Sequence, residues 1–535
     1  MPTVRDVTYA LMRDLGMTTV FGNPGSTEEP FLTQFPEDFT YGLALHEGVA
    51  VAMADGFAQA SGNAAFVNLH TATGLGNGIG SLVTAWYNRA PLVVTAGQQT
   101  RQMLALEPWL VNLHATELPR PYVKWSHEPA RPEDVPGAIE RAYHHAMTPP
   151  FGPAFVSIPM DDWGAEAPAR KARRMHRQPV IDPLALAQVA ERMRAARNPL
   201  LVVGAGVDRA GAWQEAVALA ERLQAPVWEA PAPERASFPQ NHPLFQGALP
   251  LALKPVSERL AGHDVVLLVG AAAFRYYPHI PGPVLPQGTE LIHITDDPDE
   301  AARAPVGTAL VGEIRAALEA LAAALPAAER LAPTPRPAPG AVAASDPMTP
   351  EYIFRCLNEA LPDDVLFTEE SASTRASFYD QVRLMRPAAY FATASGGLGF
   401  AMPAAVGVAL ARPGQTVCCP IGDGAAMFGI QSLWTAAQHR LPIVYLVLNN
   451  GGYGILKSFA AFQRTPGVPG LDLPGLDIVS IARGFGAQAS RVTEAAALPA
   501  ALREAFATAA TQRTPVLLDV AMDATVRQLF GPPVD

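Results

Sequence analysis

An α/β fold of three successive doubly wound parallel-sheet domains is predicted by three features of the sequence. Short, wholly apolar runs recur along the chain. Helical patterns separate them, and two linker-like stretches divide the whole into blocks of similar size. Strands that are apolar on both faces and joined by helices belong to parallel sheets covered on both sides.

In the first block, residues 1–180, Ala65–Leu69 and Leu92–Thr95 read as buried strands. The block ends in the basic, poorly patterned run Arg170, Lys171, Arg173 and Arg174, which reads as a solvated connector. The second block, 181–342, contributes Leu200–Val203, Val265–Val269 and Leu291–Ile294. It closes in a Pro/Ala-rich segment with Pro333, Pro335, Pro337 and Pro339 on alternate positions, the pattern of an extended, semi-rigid linker. The third block, 343–535, contributes Val365–Phe367, Val417–Ile421, Ile443–Leu448 and Val516–Val520. The similar sizes of the blocks hint at a common architecture.

Composition limits the function classes. Of the 535 residues, 49% are hydrophobic and 17% charged, as in a globular chain with large cores. A formal charge of −11 argues against a nucleic-acid surface, which needs clustered Lys and Arg. Cys356, Cys418 and Cys419 have no metal-ligand spacing and read as small core residues in a reducing, cytoplasmic setting. Charged Arg5, Asp6, Arg13 and Asp14 interrupt the N-terminus, so no signal peptide is visible. Pro387–Ala411 carries no charge, but Gly396, Gly397, Gly399 and Pro403 break it. It reads as a loop entering a buried helix rather than a membrane span.

The strongest local signal is Gly422-Asp423-Gly424 followed, across the 25 residues Ala425–Asn449, by Asn450. Both Asp423 and Asn450 would emerge at the carboxyl ends of neighbouring strands, where parallel sheets bind ligands. One carboxylate, one amide oxygen and the backbone carbonyl of Gly452 suit Mg²⁺, which takes few protein oxygens and completes its shell with phosphate. Gly-Asp-Gly alone is an ordinary turn; the Asn pair at this distance gives it meaning. Gly204-Ala205-Gly206 follows a strand too, but its dinucleotide pattern is incomplete and a structural turn is the better reading. Read alone, Glu47 is a dipole-stabilising residue opening the helical pattern Val49, Ala50, Met53, Phe57, and His70 a structural histidine after a strand.

Longer motifs give both residues a different meaning. Phe21–Leu32 (FGNPGSTEEPFL), Leu43–Ser61, Val67–Asn77, Val94–Arg101, Ala394–Ala405 (ASGGLGFAMPAA) and, in the middle block, Ala273–Tyr276 follow one pattern in order with the GDG…NN pair. The chain thereby resembles the thiamine-diphosphate-dependent 2-oxo acid decarboxylases, the benzoylformate decarboxylases among them, over nearly its whole length. The resemblance implies pyrimidine-binding, central and diphosphate-binding domains in that order. It implies thiamine diphosphate held with Mg²⁺ (or Ca²⁺ in its place), and a small 2-oxo acid as substrate. It also implies a homodimer whose active sites lie between chains, two such dimers making a homotetramer, with neither nucleic acid nor membrane as partner. Glu47 then matches the carboxyl that donates to the cofactor's pyrimidine, Gly396 the acceptor for its amino group and Leu398 the bulky residue beneath it. Gly422, Asp423, Gly424 and Asn450 match the diphosphate and metal anchor. Ser26 matches the hydroxyl that holds the substrate carboxylate, and His70 the proton-transfer histidine, a task its pKa range suits.

The chain departs from the benzoylformate decarboxylase pattern at several positions. Where that pattern has a second histidine after Phe-Arg-Tyr, Tyr277 follows Phe274-Arg275-Tyr276, and the nearest histidine is His279. Both are candidates for the missing proton-transfer group. Trp109 beside Leu110, and Ile455 before Leu456, would narrow the substrate pocket together with the retained Phe459; Ala372 replaces a threonine near the cofactor. Such changes bear on which acid fits, each methylene counting for roughly 1–3 kcal/mol. The expected reaction is non-oxidative conversion of benzoylformate to benzaldehyde and CO₂. A decarboxylase of another 2-oxo acid and a carboligating transferase of acetolactate synthase type are the alternatives.

Overall fold

Strands form at the apolar runs and extend a residue or two beyond several of them. The computed structural model describes residues 1–530 apart from Gln178 and Ala273, so the Ala273 end of one sequence motif lies outside the described residues. The first sheet contains β1 (Thr19–Gly22), β2 (Thr40–Leu43), β3 (Ala65–Leu69), β4 (Leu92–Gln98), β5 (Ser126–His127) and β6 (Ala154–Pro159). The middle sheet contains β7 (Pro199–Val203), β8 (Val227–Glu229), β9 (Phe245–Ala248), β10 (Val265–Val269), β11 (Glu290–Thr295) and β12 (Thr308–Val311). The third contains β13 (Leu366–Glu369), β14 (Tyr390–Ala392), β15 (Val417–Gly422), β16 (Ile443–Asn449), β17 (Gln488–Val492) and β18 (Val516–Ala521). All strand pairings within the three sheets are parallel.

The three sheets are not alike. The first runs β2-β1-β3-β4-β6-β5 and the third β14-β13-β15-β16-β18-β17, the same order strand for strand. The middle one runs β9-β8-β7-β10-β11-β12, the order of dinucleotide-binding sheets. The common architecture hinted at by block size therefore holds for two domains of three. Strand counting cannot distinguish them, because both orders arise from the same alternation of strand and helix.

Helix α1 (Glu47–Ser61) follows β2, and α2 (Thr71–Tyr87) follows β3. In the third domain α3 (Ala401–Ala411) follows β14, and α4 (Gly454–Phe462) follows β16. The equivalent helices α1 and α3 pack against each other, which joins the apolar cores of the first and third domains into one. Glycines permit the contact: a Cβ on Gly407 would lie 1.9 Å from the Met53 carbonyl oxygen, and one on Gly56 2.4 Å from that of Ala404. Pro387–Ala411 is thus the short strand β14 and a glycine-bearing loop entering the buried helix α3, and no helix among the described residues is long and apolar enough to cross a membrane.

Both connectors are pinned rather than merely solvated. Arg170 pairs with buried Glu140, which also accepts the Arg173 N–H. Along the proline-rich segment Arg330 donates to the Ala196 carbonyl at 2.9 Å, and Arg336 pairs with Asp380. Cys356, Cys418 and Cys419 are buried and unpaired. Gly204-Ala205-Gly206, expected as a turn, instead opens a short helix, Ala205–Arg209, capped by Gly204; its glycines pack against Gly270 and Ala271 at distances a side chain would not permit.

Candidate functional site

The chemistry-bearing residues collect at the carboxyl ends of the strands of the two like sheets. In the first domain β1 leads into the turn carrying Ser26, β2 into Glu47 and β3 into His70. Ser26 is exposed on its turn, and Gly25 leaves room for the His70 ring, since a Cβ there would fall 2.2 Å from Nδ1. Glu47 opens α1 and accepts a hydrogen bond from Asn77 Nδ2 at 3.1 Å. Gly74 lies between Glu47 and His70; a Cβ there would sit 3.1 Å from Glu47 Oε1 and 3.3 Å from His70 Cβ. The next residue after His70, β-branched Thr71, has φ +47°, a strained backbone of the kind retained at functional sites.

A residue that sequence reasoning missed governs His70. Glu28 is buried, and its Oε2 lies 2.9 Å from His70 Nδ1. The same carboxylate accepts the Gly25 and Gly97 N–H groups, each at 3.0 Å, and the Thr27 hydroxyl at 2.6 Å. Burial pushes the Glu28 carboxyl above its usual range, while Thr27, Gly25 and His70 pull it down. A carboxylate acceptor at Nδ1 keeps the ring proton there and leaves Nε2 as the exchangeable position. In the sequence Glu28 is one of two adjacent glutamates after a turn. Nothing local separates it from Glu29, which heads a short helix.

In the third domain β15 ends at Gly422 in register with Leu448 of β16, so Asp423 and the Asn449-Asn450 pair emerge side by side. Asp423 is buried; its Oδ1 accepts the Gly424 N–H at 2.8 Å and its Oδ2 the Gly452 N–H at 3.0 Å. Burial pushes its carboxyl up, against the pull of these N–H groups. Asn449 is committed to Asp519 at 2.8 Å, so only Asn450 is free to face the adjoining cavity, which Ser373, Thr374 and Gly454 also line. Cβ atoms built on Gly422 and Gly451 meet nothing within 4 Å, which leaves room for a bulky group beside the carboxylate. Among the described residues no cluster of three His, Cys, Asp or Glu could hold a metal. The donor set instead fits a hard cation that takes one carboxylate, an amide and a carbonyl and shares a ligand's phosphates.

A glycine-bearing segment follows β14. Gly396 (φ +76°), Gly397 and Leu398 are exposed, and the segment ends on buried Glu370, which accepts the Gly399, Phe400 and Ala401 N–H groups at 2.7–2.9 Å. Ala372 is exposed next to Ser373. On α4, Ile455 is half-buried and Leu456 exposed, while Phe459 stacks on Tyr277 with ring centroids 5.0 Å apart. His279 is exposed and has no such contact among the described residues, so the geometry brings Tyr277, not His279, to the α4 face. Trp109, expected in the pocket, is 93% exposed, and neighbouring Leu110 is exposed with φ +65°.

Among the described residues no hydrogen bond or ion pair joins Ser26, Glu47 or His70 to Asp423 or Asn450. Residues 2–117, 186–321 and 373–520 match, in turn, the N-terminal thiamine pyrophosphate binding, central and C-terminal thiamine pyrophosphate binding domains of thiamine pyrophosphate enzymes, and the chain belongs to that family, among its 2-oxo acid decarboxylases. It is similar to benzoylformate decarboxylase of Pseudomonas aeruginosa, with 49% identity over 525 residues, 97% of this chain and 99% of the relative. The crystal structure of benzoylformate decarboxylase from Polynucleobacter necessarius superposes with a TM-score of 0.96 at 41% identity, covering 100% of both chains. The solved thiamine diphosphate-dependent 4-hydroxybenzoylformate decarboxylase of Rhodococcus jostii gives 0.95 at 44%, covering 98% of this chain and 100% of the other.

Proposed function

We propose that this chain, as a homodimer, binds thiamine diphosphate with Mg²⁺ and decarboxylates benzoylformate to benzaldehyde and CO₂. The observation that carries the reading is the division of labour between the two like sheets: an acid–base group at the ends of β1, β2 and β3, and oxygen donors at the ends of β15 and β16. When bound, thiamine diphosphate supplies the nucleophilic carbon and electron-accepting ring that protein side chains lack.

The chain's own residues do the rest. Asp423, Asn450 and the Gly452 carbonyl hold the metal, and the glycines beside them admit the diphosphate. Glu47, oriented by Asn77, holds a proton at the cofactor's pyrimidine nitrogen. Gly396 and Leu398 would contact the cofactor's pyrimidine side, the first through its backbone carbonyl and the second through its side chain. Ser26 binds the substrate carboxylate, and His70, oriented by Glu28, moves a proton at Nε2 to and from the substrate oxygen. Ile455, Leu456 and Phe459, with Tyr277 stacked on the last, form an apolar wall suited to an aryl group and to loss of charge as CO₂ departs.

Two features support assembly from two chains. No hydrogen bond or ion pair among the described residues joins the two halves of the site, and apolar side chains are bare around each: Leu106 (71% exposed), Trp109 and Leu113 (60%) on the first domain, Leu398, Phe428 and Leu456 on the third. Patches of this kind are covered in an interface. Pairing of such dimers gives the tetramer, and the unpaired buried cysteines suit the cytoplasm. Carboligation is not favoured, because the similar full-length relatives named above are decarboxylases. The test is a panel of 2-oxo acids with thiamine diphosphate and Mg²⁺, read by CO₂ and aldehyde. Stoichiometric release of both from benzoylformate is expected; accumulation of acetolactate from pyruvate instead would overturn the assignment.

A further inference from the structure

A polar ring through all three domains holds the segment that follows β14. Its first link is Ala394, whose N–H donates to Asn88 Oδ1 at 2.8 Å. Asn88 stands at the C-terminal end of α2, and its Nδ2 donates to Asp55 Oδ2 of α1 at 2.8 Å. Gln59, one turn along α1, donates to the other Asp55 oxygen at 2.8 Å and accepts from Arg235 of the middle domain at 3.1 Å. Arg235 donates to Asp208 at 2.6 Å, and Asp208 accepts the Ala388 N–H at 2.8 Å. The chain of bonds thus leaves the third domain after β14 and re-enters it just before β14.

Each side chain in the ring is committed at both ends. Asn88 and Asp55 are fully buried, and Gln59, Arg235 and Asp208 nearly so. Asp55 accepts on both oxygens, so each amide must present nitrogen to it and oxygen away from it. That fixes the Asn88 oxygen toward Ala394 and leaves it no other orientation. Two further ties act on the same stretch. Thr84, also on α2, lies 3.0 Å from the Ser395 hydroxyl, which accepts the Gly397 N–H at 3.0 Å. Arg275 donates to the Ala394 carbonyl at 2.6 Å.

A plain domain-packing lock would need no bond to a backbone amide two residues before Gly396. We propose that Asn88, oriented by Asp55, is a positioning residue that sets the backbone of Ala394–Leu398 for the cofactor. The proposal rests on the reading above that this segment contacts thiamine diphosphate. A loss of Asn88 leaves the Ala394 N–H and one Asp55 oxygen without partners. The segment then samples other backbone conformations before the cofactor binds, which lowers affinity by the fraction of time it is competent.

The experiment is titration of the metal-loaded protein with thiamine diphosphate, followed by near-ultraviolet circular dichroism, alongside the melting temperature of the cofactor-free protein. Asn88→Ala is expected to weaken cofactor binding about tenfold, the scale of one buried hydrogen bond. Asp55→Ala in that background is expected to add little, because both act through one contact. At saturating cofactor the KM for the oxo acid should stay within about twofold of the parent, since Asn88 touches no substrate group. A folded Asn88→Ala protein with a lowered melting temperature and unchanged cofactor affinity would overturn the proposal. Should that variant not fold, the milder Asn88→Ser, which removes the amide from both Ala394 and Asp55, is expected to weaken binding several-fold; unchanged affinity in that folded variant overturns the proposal equally. A parent protein that binds no thiamine diphosphate at all would instead refute the cofactor reading itself.

Discussion

The first and third domains have the same sheet order, and their equivalent strands end in opposite chemistry. After β1 and β13 each places a buried glutamate, Glu28 and Glu370. Glu28 spends one oxygen on a histidine ring, whereas Glu370 gives both to backbone N–H groups at the start of α3. After β3 comes His70; after its counterpart β15 comes Asp423 between glycines. After β2 comes Glu47 heading a helix; after β14 comes an exposed glycine segment. On the proposed function, one scaffold carries a proton-handling half and an anion-and-metal half, and only the residues at the strand ends decide which.

Variants at the two ends should separate binding from chemistry. Asp423→Ala is expected to abolish cofactor binding in a metal-supplemented titration. Glu47→Ala is expected to retain binding within about tenfold while C2 proton exchange on the bound cofactor, followed by NMR, falls at least about a thousandfold. Equal loss of binding in both would erase the distinction between the halves. Glu28→Gln should lower kcat by about 10–100-fold, as for other groups that orient a functional histidine, with cofactor affinity unchanged. A kcat within twofold of the parent would show that His70 needs no carboxylate.

Smaller effects are expected at the rim. Tyr277→Ala removes the ring stacked on Phe459 and should raise the KM for benzoylformate by about tenfold, the scale of a lost aromatic contact. His279→Ala, altering an exposed side chain, should stay within about twofold. The reverse ordering would favour a shifted loop that brings His279 to the substrate.

The smallest effect concerns the C-terminal tail. Arg527 holds Glu351 in a two-pronged pair at 2.5 and 2.9 Å, and these hydrogen bonds, chiefly, pull its carboxyl down to about 2. Because the folded carboxyl is the more acidic, the pair contributes stability above its ordinary value of 4.5, and this is lost as pH falls toward 2. Both side chains are about one-third exposed, so screening limits the contribution to at most about 1 kcal/mol. Glu351→Gln should lower the melting temperature at neutral pH by the equivalent of that amount, and the difference from the parent should vanish as pH falls toward 2.

Much of this is legible in the sequence, for identifiable reasons. Fully buried parallel strands are largely apolar runs, so β10 can be read to the residue and β3 too despite its Asn68, and residues just beyond such runs fall at strand ends by construction. The short edge strands β5 and β9 leave no run to read. Glu28 and the Asn88–Asp55–Gln59 ring are not legible, because their meaning lies in partners distant along the chain: Glu28 with His70, Asn88 with Ala394. The first arginine-bearing connector looks merely solvated, and the second merely extended, for the same reason, Glu140 and Asp380 being invisible as partners of Arg170 and Arg336. Resemblance puts Trp109 in a pocket; in a single chain it is bare, and on the proposed function a second copy covers it.

That dependence can be tested by mixing two dead variants. Co-expression of Glu47→Ala and Asp423→Ala chains, each inactive alone, should restore CO₂ release from benzoylformate to about a quarter of the parent's, since half the dimers are mixed and each mixed dimer holds one intact site of two. A mixed preparation no more active than either parent variant would contradict a site shared between chains.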